Sequence, residues 1–137
     1  MSEKKKVYFC GSIRGGRSRE DSYQKIIAIL KEKYDVLTEH IGFNNLERFE
    51  SGNTDEFIYL RDKSLLDQAD FVVAECSVAS LGVGYELAYS EAHRKPVFVL
   101  YDLTTNRKLS AMIAGDSSFK KLYYSSEDEM IEIVKGI

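Results

Sequence analysis

The spacing of apolar residues along this chain switches repeatedly between a two-residue and a 3.6-residue period, with short polar turns at the changes. Val7 to Cys10 is a short apolar run that stops at Gly11. From Ser18 to about Lys33 the apolar residues fall at helical spacing through Ile26, Ile27 and Leu30, and Asp35 to Thr38 reads as a second strand. A helix from about Thr54 to Gln68 carries Ile58, Asp62, Leu65, Leu66 and Ala69 along one face. Phe71 to Ala74 is apolar at every position, as a central parallel strand covered on both faces would be. Helix Val83 to His93 leads across Pro96 into strand Val97 to Tyr101. Leu122 to Tyr124 is a candidate fifth strand, and Ser125, Ser126 and Glu127 read as the cap of a closing helix. Ile41 to Asn53 shows no clear period and reads as one helical turn or a loop.

Alternation of strand and helix, with no repeat and no linker, predicts one α/β domain over residues 1–137, built on an open parallel sheet of about five strands flanked by helices. The 137 residues, 44% hydrophobic with a single proline, suffice for one real core. No apolar run reaches the length of a membrane span, and Lys4 to Lys6 lead into a strand rather than a signal segment. The expectation is a soluble cytoplasmic protein, with nuclear presence left open and no membrane partner. A net charge of -3 argues against a nucleic-acid polymer as partner. Cys10 and Cys76 are not spaced as a redox pair, and each borders a strand, so buried free thiols are expected.

Ligands of open parallel sheets bind at the carboxyl ends of the strands, which directs attention to Gly11–Arg17, Glu39–His40, Cys76–Glu86 and the segment after Tyr101. Gly11, Ser12, Ile13, Arg14, Gly15, Gly16 and Arg17 read either as a cradle for an anion or as a glycine turn with two solvated arginines. Their spacing matches neither a dinucleotide fingerprint nor a Walker loop, so no nucleotide cofactor is expected. Asp62 interrupts an apolar stripe, where a carboxyl is more easily kept protonated; Glu86 falls in the first turn of its predicted helix, where the dipole favours an anion. Two carboxyls in contrasting environments are the pattern of a glycosidic-bond enzyme, one the nucleophile and the other the proton donor. The alternative is a capping glutamate and an aspartate satisfied by a core hydrogen bond. His40 ends a strand and could touch a ligand, but no second histidine is spaced with it for a metal. Ser110, Ala111 and Met112 sit in a predicted loop with nothing local to single them out.

The blocks Tyr8 to Arg17, Leu37 to His40, Ala69 to Glu75, Ser80 to Leu87 and Leu109 to Ile113, taken in order, resemble the 2′-deoxynucleoside 5′-phosphate N-hydrolases of the nucleoside 2-deoxyribosyltransferase-like superfamily. The resemblance covers nearly the whole chain and departs mainly between Ile41 and Asn53 and at the C-terminus. It implies a Rossmann-like, flavodoxin-like sheet and hydrolysis of the N-glycosidic bond of a deoxynucleoside monophosphate, without metal or organic cofactor. It implies Glu86 as nucleophile, Asp62 as general acid or base, and Tyr8 as a sugar-side group positioning Glu86. Ser12, Arg14 and Ser80 are implied as 5′-phosphate contacts, with Ile13, Gly15 and Gly82 beside them, while Tyr23 and His40 line the base. It further implies a homodimer in which Ser110 to Met112 complete the neighbouring site. The rival readings are a deoxyribosyltransferase, in which a second base replaces water, and a catalytically silent nucleotide-binding module.

Overall fold

A computed structural model describes residues 3–12, 19–42 and 50–137. Five parallel strands, β1 (Lys6–Cys10), β2 (Asp35–Val36), β3 (Phe71–Glu75), β4 (Val97–Asp102) and β5 (Phe119–Tyr124), form one sheet in the order β2-β1-β3-β4-β5. Helices α1 (Glu20–Lys31), α2 (Asp55–Gln68), α3 (Leu81–Ala92), α4 (Ala111–Ala114) and α5 (Glu127–Lys135) occupy the connections, with a 3-10 turn at Glu39–Gly42.

Strand alternation divides the core in two. Val7 and Phe9 of β1 and Val73 of β3 pack with Tyr23, Ile26, Leu30, Met130 and Val134 from α1 and α5. Tyr8 and Cys10, one residue out of phase, turn to the opposite layer with Val72, Ala74, Leu66, Val83 and Leu87, beneath α2 and α3. β3 is buried at all five positions: Phe71 to Ala74 as the apolar run predicts, and the charged Glu75 as well. Cys10 and Cys76 are buried free thiols, as expected.

Two strands differ from their sequence expectation. β2 stops at Val36 because Thr38, fully buried, binds β1 through its side chain: Oγ1 accepts from the Phe9 amide at 2.8 Å and donates to the Phe9 carbonyl at 2.8 Å. β5 starts three residues before Leu122, its first half hidden by Lys120 and Lys121, which suit the outer edge of a sheet. Helix α3 begins at Leu81 rather than Val83, because the Ser80 side chain accepts from the Val83 amide and caps it there. Ser110 precedes a four-residue helix where a loop was expected. The 3-10 turn and the helical residue Glu50 border residues 43–49, which lie outside the described residues.

The strand order reverses direction between β1 and β3: the chain steps from β1 outward to β2, then crosses back to β3 on the other side. A crevice at the carboxyl ends of these two strands is the usual ligand position in such a sheet. Helix α2, which lies within that crossover, and α3, which follows β3, cover the face onto which Tyr8 projects.

Candidate active site

Three elements bring Tyr8, Glu86 and Asp62 to the crevice. Tyr8, 2% exposed, donates its phenolic hydrogen to Glu86 Oε2. Burial raises the phenol far above its ordinary pKa, with the Glu86 charge acting in the same direction, so Tyr8 is a fixed donor. The Asp62 charge is felt by Tyr8, Cys10 and Glu86 alike, which sets the α2 carboxyl against the same wall.

Glu86 is pushed up to about 7, chiefly by burial, against the Tyr8 hydrogen bond that lowers it and with the Asp62 charge that raises it. The expectation of a dipole-stabilised anion is therefore corrected. With the helix starting at Leu81, Glu86 is its sixth residue and lies beyond the first turn, where the dipole is felt most. Asp62 is corrected as well. Only Leu66 of the expected α2 stripe is buried within the helix, with Ala69 just after it; the Asp62 side chain is 22% exposed and its Oδ1 accepts from Arg61 Nε at 2.8 Å. The carboxyl that loses its solvent is Glu86, and the one with a charged partner is Asp62.

His40 is buried in the 3-10 turn, and burial followed by the Arg61 charge lowers its pKa, so it presents a neutral ring close to Glu50, Arg61 and Asp62. Tyr23 does not sit where the resemblance put it. It is fully buried in the α1 layer, with its ring edge-on to Phe9 at 5.6 Å and its hydroxyl accepting from the Ser12 amide at 2.9 Å. A Cβ on Gly11 would lie 2.7 Å from Tyr23 Cζ, so the glycine that ends β1 is needed by the core ring beneath it. Tyr23 thus supports the loop floor and is not an open wall for a base.

At the anion end, Ser12 is fully buried, and its Oγ finds no hydrogen-bond partner among the described residues. Ile13, Arg14 and Gly15, with Gly16 and Arg17, lie outside the described residues. Ser80 Oγ accepts from the Val83 amide at 3.2 Å and the Ser80 carbonyl from the Gly84 amide at 3.1 Å, which leaves the hydroxyl hydrogen and the two leading amides of α3 to face an anion. Gly82 is exposed there. Ser110, Ala111 and Met112 are all exposed, Met112 at 84%. Sequence reasoning passed over Arg61 and Glu50; the two are eleven residues apart across a stretch without a period, and only the fold joins them.

A protein of Nematostella vectensis named "Putative 2'-deoxynucleoside 5'-phosphate N-hydrolase 1" is 44% identical over 135 residues, covering 93% of this chain and 92% of its own. The 5-hydroxymethyl-dUMP N-hydrolase of Mus musculus is 45% identical over 128 residues, covering 90% of this chain and 74% of its own. The CMP N-glycosidase of Clostridium botulinum shares the fold with a TM-score of 0.67 at 18% identity, over 95% of this chain and 98% of that one. Residues 7–130 match the nucleoside 2-deoxyribosyltransferase family, and the chain belongs to it.

Proposed function

We propose that this protein hydrolyses the N-glycosidic bond of a 2′-deoxynucleoside 5′-monophosphate, releasing the free base and 2-deoxyribose 5-phosphate. The observation that carries the reading is the half-buried Glu86 carboxyl, held by the Tyr8 hydroxyl and facing the Asp62 charge in the crevice at the ends of β1 and β3. Relatives named as deoxynucleotide N-hydrolases, sharing nearly half their residues with this chain, support the substrate class.

In this reading ionised Glu86 attacks C1′ from the face opposite the base. The C1′–N bond breaks with its electron pair moving to the base, which takes a proton from Asp62. Water then attacks C1′, gives a proton back to Asp62 and frees Glu86, restoring the starting state. Tyr8 donates to the Glu86 oxygen that does not react and fixes the carboxylate's orientation. In this mechanism Asp62 acts as the proton donor while Glu86 is the attacking carboxylate. Residues 11–17 and the Ser80 turn take the 5′-phosphate, and His40 lines the base.

The site is completed by a second copy of the chain, with Ser110 to Met112 reaching the neighbouring phosphate. Supporting this, the α2 and α3 face exposes Phe57, Tyr59, Leu60, Leu81 and Tyr85, with Leu81 at 97%. Two buried free thiols support a reducing, cytoplasmic setting.

Incubating the purified protein with each deoxynucleoside monophosphate and with 5-hydroxymethyl-dUMP, then separating free bases, tests the reading; no base from any of them would overturn it. The transferase reading draws on the family match, and base exchange on unphosphorylated deoxynucleosides, faster than hydrolysis of the monophosphates, would favour it.

A further inference from the structure

Neighbouring residues of a helix point about 100° apart and do not ordinarily face each other. Arg61 and Asp62 are nonetheless joined, Arg61 Nε to Asp62 Oδ1 at 2.8 Å, because the arginine side chain folds back along α2. The rest of the guanidinium is occupied from the other side. Nη1 meets Glu50 Oε1 at 2.8 Å and Nη2 meets Glu50 Oε2 at 2.9 Å, a two-pronged pairing that fixes the plane of the group. Glu50 is itself held by Asn53 Nδ2 at 3.0 Å. All three charged side chains are largely enclosed: Arg61 is 20% exposed, Glu50 13% and Asp62 22%.

We propose that Arg61 is a positioning residue for Asp62, oriented by Glu50, which holds the Asp62 carboxyl toward Glu86 and keeps the guanidinium paired when Asp62 takes up a proton. The inference rests on the reading of Asp62 and Glu86 as the reacting carboxyls. A proton donor alone with a single arginine would be pinned as a carboxylate, because protonating it would strand a half-enclosed cation. Glu50 removes that penalty. With both of its oxygens already on Arg61, the cation stays neutralised whether Asp62 is charged or not. Lysine would serve less well, because one ammonium lacks the planar fork that meets two carboxylates at once. The groups facing the Asp62 and Glu86 pair are Tyr8 and Cys10 from β1, His40 from the 3-10 turn, and Glu50 and Arg61.

The test uses the full chain with Arg61→Gln, Arg61→Lys and Glu50→Gln, assayed on dUMP and on 5-fluoro-dUMP, whose more acidic base needs less help from a proton donor. Folding is checked by thermal melting. On dUMP, kcat falls about tenfold or more in Arg61→Gln with KM within about twofold, and Arg61→Lys and Glu50→Gln fall between it and the parent. The loss on 5-fluoro-dUMP is markedly smaller. A purely structural role would slow both substrates equally, and that result overturns the proposal. Carboxyl carbon-13 NMR of the ligand-free protein gives a readout that needs no turnover. Removing the Arg61 charge leaves Asp62 unbalanced and moves the Glu86 midpoint upward by roughly half a pH unit. If the parent hydrolyses neither nucleotide, the functional reading is judged separately on the remaining deoxynucleoside monophosphates. The Glu86 midpoint then decides: an upward shift supports the Arg61 coupling, and none overturns it.

Discussion

Glu86 holds its proton up to about pH 7 because folding takes it out of water, whereas an ordinary glutamate releases its proton near 4.5. Between those two values the folded state binds more protons than the unfolded chain, so stability falls as pH rises through that window and levels off above it. The full cost at high pH is no more than about 3 kcal/mol. Glu86→Gln keeps an acceptor for Tyr8 but carries no charge. It should therefore melt above the parent at pH 8, with the gap closing toward pH 5, and a constant gap across that range would contradict a buried titrating carboxyl. The same ionisation should appear in catalysis as an acid limb of kcat/KM near pH 7 in the free enzyme. Asp62 stood out in the sequence as a charge on an expected apolar stripe, of which the fold buries only Leu66 within the helix and Ala69 just after it. The sense of the Glu86 shift was not legible there, since it turns on where α3 begins and on a partner 78 residues away in β1. Tyr23 misled for a similar reason: nothing local says that Gly11 will be laid against its ring.

Helix α3 is fastened at both ends, and the two fastenings differ. At the start, Ser80→Ala removes the cap on the Val83 amide and should cost about 1 kcal/mol by denaturant titration. If the Ser80 turn takes the phosphate, the same change raises KM for a monophosphate while leaving turnover of an unphosphorylated deoxynucleoside as slow as before. At the far end, Lys95 N donates to Ser90 O at 2.9 Å and Arg94 N to Glu91 O at 3.0 Å, the paired bonds of a Schellman closure. Arg94 occupies its left-handed position at φ 57°, where a side chain is disfavoured. Arg94→Gly should relieve that and raise stability by about 1 kcal/mol, read as a higher melting temperature; a drop would mean the arginine side chain contributes more than its backbone costs. The strands and helices themselves were readable from period alone, because parallel strands covered on both faces are uniformly apolar and the helices between them are not. β2 was over-read because Thr38 satisfies β1 with its side chain, which no period reveals.

At the scale of the molecule, the apolar side chains left in the open concentrate on the α2 and α3 side. Phe57, Tyr59, Leu60, Leu81 and Tyr85 lie there, and Ile113, next to Met112, packs on the same core layer. A second copy seated on that face should make the protein sediment as a dimer, and Leu81→Glu should drive it to monomer with loss of activity. Mixing Glu86→Ala subunits with Ser110→Ala subunits should restore activity, since one site of each mixed dimer then carries neither defect. Exchange shown by mass without any recovery would place Ser110 outside the neighbouring site. The order of the sheet, β2-β1-β3-β4-β5, is that of the flavodoxin-like sheet the family resemblance implied; hydrophobic period alone shows which segments are strands more plainly than which of them are neighbours.

β3 has a further consequence during synthesis. Its Phe71 to Ala74 run joins β1 on one edge and waits for β4 on the other, and β4 begins only at Val97. A chain emerging from the ribosome therefore passes through an interval in which an uncharged, β-branched-rich edge stands open, the kind of segment that recruits other chains into aggregates. Substitutions that slow the pairing of β4 should lower the yield of soluble protein before they alter the finished enzyme.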